Sequence, residues 1–286
     1  MSLRKHSFKI LSIIKIKERQ LDGMKRFGKI LVAILVFTLL AACSSDDAAK
    51  DSKNTNGKEK LVIGIDDTFA PMGFRDENNE IVGFDIDLAK ATGEKMGREV
   101  VIQPIDWSTK EAELSSGRID LIWNGYTITE ERKKKVLFTK PYLANSQVVA
   151  TLKDSPIEKL DDLAGKKVGL QAQSSASIAL DSAPIKSEIA EIHEYKTNVL
   201  ALQDLENGRV DAVVIDEVAI NYYMTIKPDK FKVLDESLAP EQYAVGVKKG
   251  NEELLEEVQK AIDELIADGT AAKISEKWFG EDKILK

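Results

Sequence analysis

Arg132, Thr127, Gly125 and Asp216 are the residues of this chain best suited to hold a small zwitterion. An arginine grips a carboxylate through two parallel, charge-assisted hydrogen bonds. The Thr127 hydroxyl and the Gly125 backbone, just upstream of Arg132, can add donors to the same group. Asp216 can accept from an ammonium. Phe69 and Trp107 can sandwich a side chain or its aliphatic part. Ser174 and Ser175 open a helical run, where free backbone N–H groups favour an anion. Carboxylate, ammonium and a covered side chain together describe a free α-amino acid. A blander reading of Arg132, as a solvated member of the run Glu130-Glu131-Arg132-Lys133-Lys134-Lys135, stays open on these residues alone.

The elements that must position these groups are visible as periodic segments. Residues 61–65 form a strand that ends in Asp66 and Asp67. Phe84, Leu88 and Ala91 share one helical face, with Asp85 and Asp87 directed elsewhere. Residues 100–102 make a second strand, 111–115 a short helix and 120–122 a third strand. The pattern then restarts, with a helical piece at 159–164 and a strand at 167–170. Helices at 174–180 and 199–206 and a strand at 211–215 complete it. A strand at 241–247 and an amphipathic helix carrying Leu254, Leu255, Val258, Ala261, Ile262 and Leu265 follow. Such alternation predicts an α/β protein with a largely parallel sheet.

Two stretches rhyme, SSGRIDLIWNG at 115–125 and ENGRVDAVVID at 206–216. Each places Gly-Arg, an apolar residue and Asp before an apolar strand with a polar end. Two lobes of similar design would produce this. Ligands of open α/β sheets bind beyond the carboxyl ends of the strands. Asp66 and Asp67, Asn124 and Gly125, Gln171 and Asp216 all stand at such ends, which predicts a cleft between the lobes.

The 286 residues suffice for two modest domains, and a formal charge of -7 argues against extended nucleic-acid contact. The first sixty residues differ in kind. Lys25, Arg26 and Lys29 precede an apolar run at 30–40, and Ala41 and Ala42 precede Cys43, the order of an export signal. The run is short for a membrane span. Residues 1–23 form a preface, with Met24 read as the translation start. Cys43 is the only cysteine, so no internal disulfide is possible. Residues 44–60 lack an apolar face and read as a flexible tether. Leu40-Ala41-Ala42-Cys43 resembles a bacterial lipoprotein box, which implies a lipid on Cys43. Two or more acyl chains hold a protein stably on a membrane.

Beyond the tether, the chain resembles the polar amino-acid branch of the solute-binding proteins of bacterial ABC importers. The matching pieces are IDDTFAPMGF (65–74), VGFDIDLAKA (82–91), DLIWNGYTITEERKKKVLFTKPY (120–142), KKVGLQAQSSA (166–176) and GRVDAVVIDEVAINYY (208–223). The resemblance implies a periplasmic-binding-protein-like fold: two α/β lobes joined by two crossing strands and closing on the ligand. It puts one lobe at 61–147 plus 240–280, the other at 148–239, and a tail at 281–286. It implies Arg132 and Thr127 for the ligand carboxylate, a backbone acceptor at Gly125, Asp216 for the ammonium, and Phe69 and Trp107 as stacking rings. Gln173 replaces a common glycine, and Trp123 a smaller aliphatic residue that either borders the ligand or packs under the loop.

The resemblance further implies a monomeric, exported, lipid-anchored protein that meets a membrane permease. Asp66 falls where relatives meet the far end of the ligand side chain, and Gln171 can serve an amide, a guanidinium or an acid. A basic side chain is favoured, with glutamine or a cystine-like ligand as the alternative. A small-acid dehydratase or a ligand-sensing module on the same fold are readings of another class. No catalytic residue, cofactor or metal site is expected. The histidines are His6 and His193, the latter among Glu188, Glu191 and Glu194, and neither forms a nucleophilic dyad with a cysteine.

Overall fold

The computed structural model describes residues 59–286. The leader expected at 1–42, Cys43 and all but the last two residues of the tether expected at 43–60 lie outside the described residues. β1 (Lys60–Ile65) precedes a small sheet of β2 (Thr68–Phe69), β3 (Gly73–Arg75) and β4 (Ile81–Val82). Next come α1 (Phe84–Met96), β5 (Glu99–Pro104), α2 (Lys110–Ser116), β6 (Leu121–Ile122), α3 (Glu130–Lys133), β7 (Val136–Phe138) and β8 (Leu143–Leu152). The middle of the chain gives β9 (Lys167–Gln171), α4 (Ser175–Ser182), β10 (Glu191–Tyr195), α5 (Asn198–Glu206), β11 (Ala212–Asp216), α6 (Glu217–Ile226) and β12 (Phe231–Val233). It ends with β13 (Ala239–Tyr243), β14 (Gly246–Lys248), α7 (Glu252–Ala267) and α8 (Thr270–Phe279).

Two larger sheets result, ordered β5-β1-β6-β14-β7 and β10-β9-β11-β8-β12, with β13 paired to β8. Neither is largely parallel, contrary to the expectation. β5, β1 and β6 run parallel, as do β10, β9 and β11, because helices carry the chain back between them. β8 and β14 enter antiparallel to β11 and β6 after the chain has crossed from one sheet to the other. The strand expected at 241–247 is two strands. It breaks at Ala244 and Val245, so that β13 joins the second sheet and β14 the first. β8 and β13 pair from Leu143↔Tyr243 to Gln147↔Ala239 and form the passages between the sheets.

The internal rhyme has a structural basis. Asp120 accepts the Val62 N–H at 2.8 Å, and Asp211 accepts the Lys167 N–H at 2.8 Å, each closing the entry of the neighbouring strand. Arg118 pairs back to Glu113, and Arg209 to Asp204, in both copies. Val258, Ala261, Ile262 and Leu265 of α7 are buried, and α7 packs on α1 and α8. The segment at 281–286, expected as a tail, folds back: Ile284 is buried and bridges Leu143, and the Leu285 N–H reaches the Tyr142 carbonyl at 3.0 Å. Among the described residues no helix is long and apolar enough to cross a membrane.

Candidate ligand-binding site

Thr129 and Arg132 explain the segment TITEER. Thr129 is the N-cap of α3, accepting the Arg132 N–H on its hydroxyl at 3.1 Å, and Glu130 and Glu131 favour the same helix end. The helix turns its charges in two directions. Glu130 pairs with Lys133 and Glu131 with Lys135 on the exposed side, while Arg132 is only 4% exposed. The solvated reading of Arg132 is therefore wrong. Its Nη1 donates to the Thr127 carbonyl at 2.9 Å, its guanidinium lies 4.6 Å from the Tyr126 ring centre, and Glu111 Oε1 is 3.8 Å from Nε. These contacts fix the fork and leave Nη2 without a protein acceptor among the described residues. The loop itself is tied to β13 through Ile128 N–H to Gln242 O and Ala244 N–H to Tyr126 O.

A narrow, nearly closed cavity lies beyond this fork. From the first sheet and its loops, Asp66, Phe69, Trp107, Asn124, Gly125 and Arg132 line it; from the second, Gln171, Ser174, Ser175 and Asp216 do. Thr127 stands behind, its hydroxyl 3.1 Å from the Ser175 hydroxyl. Further contacts cross the same gap. Gln171 Nε2 donates to Asp66 Oδ2 at 2.7 Å, and the Lys110 ammonium donates to the Gln173 carbonyl at 2.8 Å.

Lys110 was invisible as a site residue, since one lysine in a polar helix carries no signal. It is 1% exposed, and burial and then Arg132 push its ammonium down to about 8. Gln173 takes a left-handed φ of 57°, a conformation that favours glycine, at a cost of about 1 kcal/mol. The Ser174 hydroxyl is turned back to the Gln171 carbonyl at 2.7 Å, so that hydroxyl is spent within its own loop.

Two expectations need correction. Gly125 was offered as an N–H donor to a carboxylate, but that N–H already donates to Asp85 Oδ2 at 2.7 Å. Its carbonyl remains, in line with the acceptor role that the resemblance implied. Asp85, expected to point away, is fully buried under the loop because it opens α1 and first-turn side chains lean back past the helix start. Trp123 is also fully buried, packed on Tyr142 rather than against the cavity. Gly125 has φ 58°, and a Cβ there would meet Phe69 Cε1 at 2.6 Å. Gly125→Ala is expected to lower stability by about 1–3 kcal/mol, readable by urea unfolding.

Burial pushes the Asp85 carboxyl up to about 7, although the Gly125 N–H holds it down, as do Tyr142 and Trp123, which lie beside it without hydrogen bonds of ordinary geometry. The native state thus keeps a proton that the unfolded chain gives up, so this group costs stability as pH rises from about 4 to about 7. Asp85→Asn removes the titration and keeps an acceptor for Gly125. Its stability relative to the wild type should climb across that interval, as measured by thermal unfolding at several pH values. A constant difference would refute the assignment.

Asp66 is 6% exposed, and burial raises its carboxyl above the usual range while Thr68 and Gln171 lower it. Thr68 N–H and hydroxyl hold Oδ1 at 3.0 and 2.7 Å, and Asn124 Oδ1 accepts the Asp66 N–H at 3.0 Å. No lysine or arginine pairs with it among the described residues. His193 lies on β10 beside Glu191 at 2.9 Å, half-buried and outside the cavity lining.

Two mixed α/β sheets joined by a pair of crossing strands, with a polar cavity lined from both, define a two-lobed binding protein. Residues 61–281 match the bacterial extracellular solute-binding proteins, family 3, and the chain belongs to that family. It is 32% identical to the L-cystine-binding protein TcyJ of Escherichia coli K12, over 88% of this chain and 95% of that one. It is also 32% identical to the arginine-binding extracellular protein ArtP of Bacillus subtilis 168, over 91% of this chain and 100% of that one. A solved substrate-binding protein of an ABC uptake transporter from Streptococcus pneumoniae, with bound histidine, superposes with a TM-score of 0.77. It shares 44% identity, covering 79% of this chain and 95% of its own.

Proposed function

We propose that this protein captures a free polar L-amino acid outside the cytoplasm and delivers it to the membrane permease of an ABC importer. The observation that carries this reading is the Arg132 guanidinium and the Asp216 carboxyl group lining one cavity from opposite sheets. Arg132 takes the carboxylate, with Thr127 and the N-terminal backbone of α4 at Ser174 and Ser175 nearby. Asp216 and the Gly125 carbonyl take the ammonium, and Phe69 and Trp107 cover the side chain. Residues 61–147 with 240–280 form one lobe and 148–239 the other, hinged at β8 and β13. The protein works as a monomer with no catalytic turnover and no cofactor. A lipid on Cys43 holds it to the outer face of the cell membrane.

A basic side chain is slightly favoured because Asp66 is a buried acid with no cationic protein partner. The relatives named for arginine and solved with histidine fit this preference, and the one named for L-cystine fits the second reading. Glutamine or cystine is the second reading, since Gln171 already supplies Asp66 Oδ2 with a neutral donor at 2.7 Å. Thermal shift with the twenty amino acids, ornithine and cystine should single out a polar L-amino acid, because a ligand of the native state raises apparent stability. Asp66→Asn then separates the readings: it should damage arginine and lysine binding far more than glutamine binding. Undiminished arginine affinity in that variant would end the preference for a basic ligand. For the anchor, labelling with a lipid precursor should mark the wild type and not Cys43→Ala; equal labelling would refute it.

A further inference from the structure

Asp216 does not meet the cavity as a lone acid. Its Oδ1 accepts from Asn145 Nδ2 at 2.9 Å, Gln147 Nε2 at 2.8 Å and the Tyr243 hydroxyl at 2.6 Å. Glu241 Oε1 accepts from the same two amides, Gln147 at 2.9 Å and Asn145 at 2.5 Å. Two carboxyl groups, one at the end of β11 and one on β13, therefore share a single pair of neutral donors on β8. Gln147 Nε2 faces three acceptors with two hydrogens, the third being Ser175 Oγ at 3.1 Å.

Ionising Asp216 beside a second acid is opposed unless a counter-ion stands near. The surrounding elements offer none. β8 contributes the amides of Asn145 and Gln147, α4 the Ser175 hydroxyl, and β13 the Tyr243 phenol, which burial and then Asp216 push well above its usual range. Glu217, next in the chain, is exposed. Arg132 lines the same cavity, yet its fork is held by the Thr127 carbonyl and Glu111. Burial, and then Glu241, push the Asp216 carboxyl well above the ordinary carboxylate range.

Resting on the reading that a ligand ammonium docks at Asp216, we propose that Glu241 is the second acid of that subsite, keeping a proton on Asp216 which the arriving ammonium displaces. The O–H bond of the Asp216 carboxyl breaks, its proton leaves to solvent, and the N–H donors of the ammonium take its place beside the two acids. No oxidant or further reactant enters. Binding is thereby coupled to proton release, so affinity rises with pH while the proton is present and levels off once it is lost. The device also selects for a protonated amine, because a neutral ligand leaves the acid pair without its counter-charge.

Calorimetric titration of the wild type with L-arginine and with L-glutamine, in buffers of different ionisation enthalpy at one pH, counts the protons released. The expected result for each ligand that binds is release of about one proton, with affinity rising by up to about tenfold per pH unit. Equal release with both ligands places the event at the ammonium they share rather than at Asp66. In Glu241→Gln the buffer dependence should disappear. Binding without proton release in the wild type, or undiminished release in Glu241→Gln, would overturn the proposal while leaving the amino-acid reading intact. Absence of binding by either ligand would overturn both. Should the variant fail to fold, infrared difference spectra of the wild type decide: loss of a carboxylic-acid C=O band on adding L-glutamine supports the shared proton, and an unchanged band refutes it.

Discussion

Arg132→Ala should weaken amino-acid binding by about 2–5 kcal/mol, the scale for removing one partner of a buried, hydrogen-bonded charge pair. The expected size follows from where the side chain sits. At 4% exposure the guanidinium has left water behind, and the Thr127 carbonyl, the Tyr126 ring and Glu111 hold it in one orientation. On the proposed reading, a ligand carboxylate entering beside it would give up its own hydration and regain a counter-charge only from the fork. In the alanine variant that carboxylate would be buried without a counter-charge. Arg132→Lys should rescue only part of the loss, since an ammonium cannot reproduce two parallel bonds. Calorimetry on both variants checks this, and a fall in affinity of less than about tenfold in the alanine variant would remove Arg132 from the carboxylate subsite.

The second large effect is expected from Asp216→Ala, again about 2–5 kcal/mol in ligand affinity. Here the loss is twofold. The ammonium forfeits its acceptor, and the donors of Asn145, Gln147 and Tyr243 that now converge on Oδ1 are left to Glu241 or to nothing. Folding stability should change less than affinity, because the substitution also removes a buried acid whose ionisation is opposed by burial and by Glu241. Chemical unfolding of the ligand-free variant beside its calorimetry separates the two effects. A collapse of stability together with unchanged affinity per folded molecule would make Asp216 a structural residue.

Much of this site was legible because its residues obey local rules. Asp66, Asn124, Gln171 and Asp216 terminate apolar strands, and strand ends are written in neighbouring residues, so a single chain suffices to find them. The Thr129 cap that sets Arg132 in the first turn of α3 was not read from the sequence. What else escaped depends on contacts distant in sequence. Asp85 has no hint in its helix of the Gly125 N–H forty positions on. Lys110 finds its acceptor on Gln173 only once the two sheets face each other. β8 hides because Asn145 and Gln147 interrupt its apolar run, and both side chains are spent on Asp216 and Glu241. The break between β13 and β14 is equally silent, since residues 241–247 keep a strand-like pattern while passing from one sheet to the next.

The cavity is proposed to hold one intact amino acid by its main-chain charges. Titration calorimetry of the purified protein with each polar L-amino acid, followed by chromatography of the recovered ligand, tests it most directly. At least one of them should bind with one-to-one stoichiometry, be recovered unchanged, and lose its affinity when its carboxylate is converted to an amide. No binding across the whole series, consumption of the ligand, or equal affinity for the amide would contradict it.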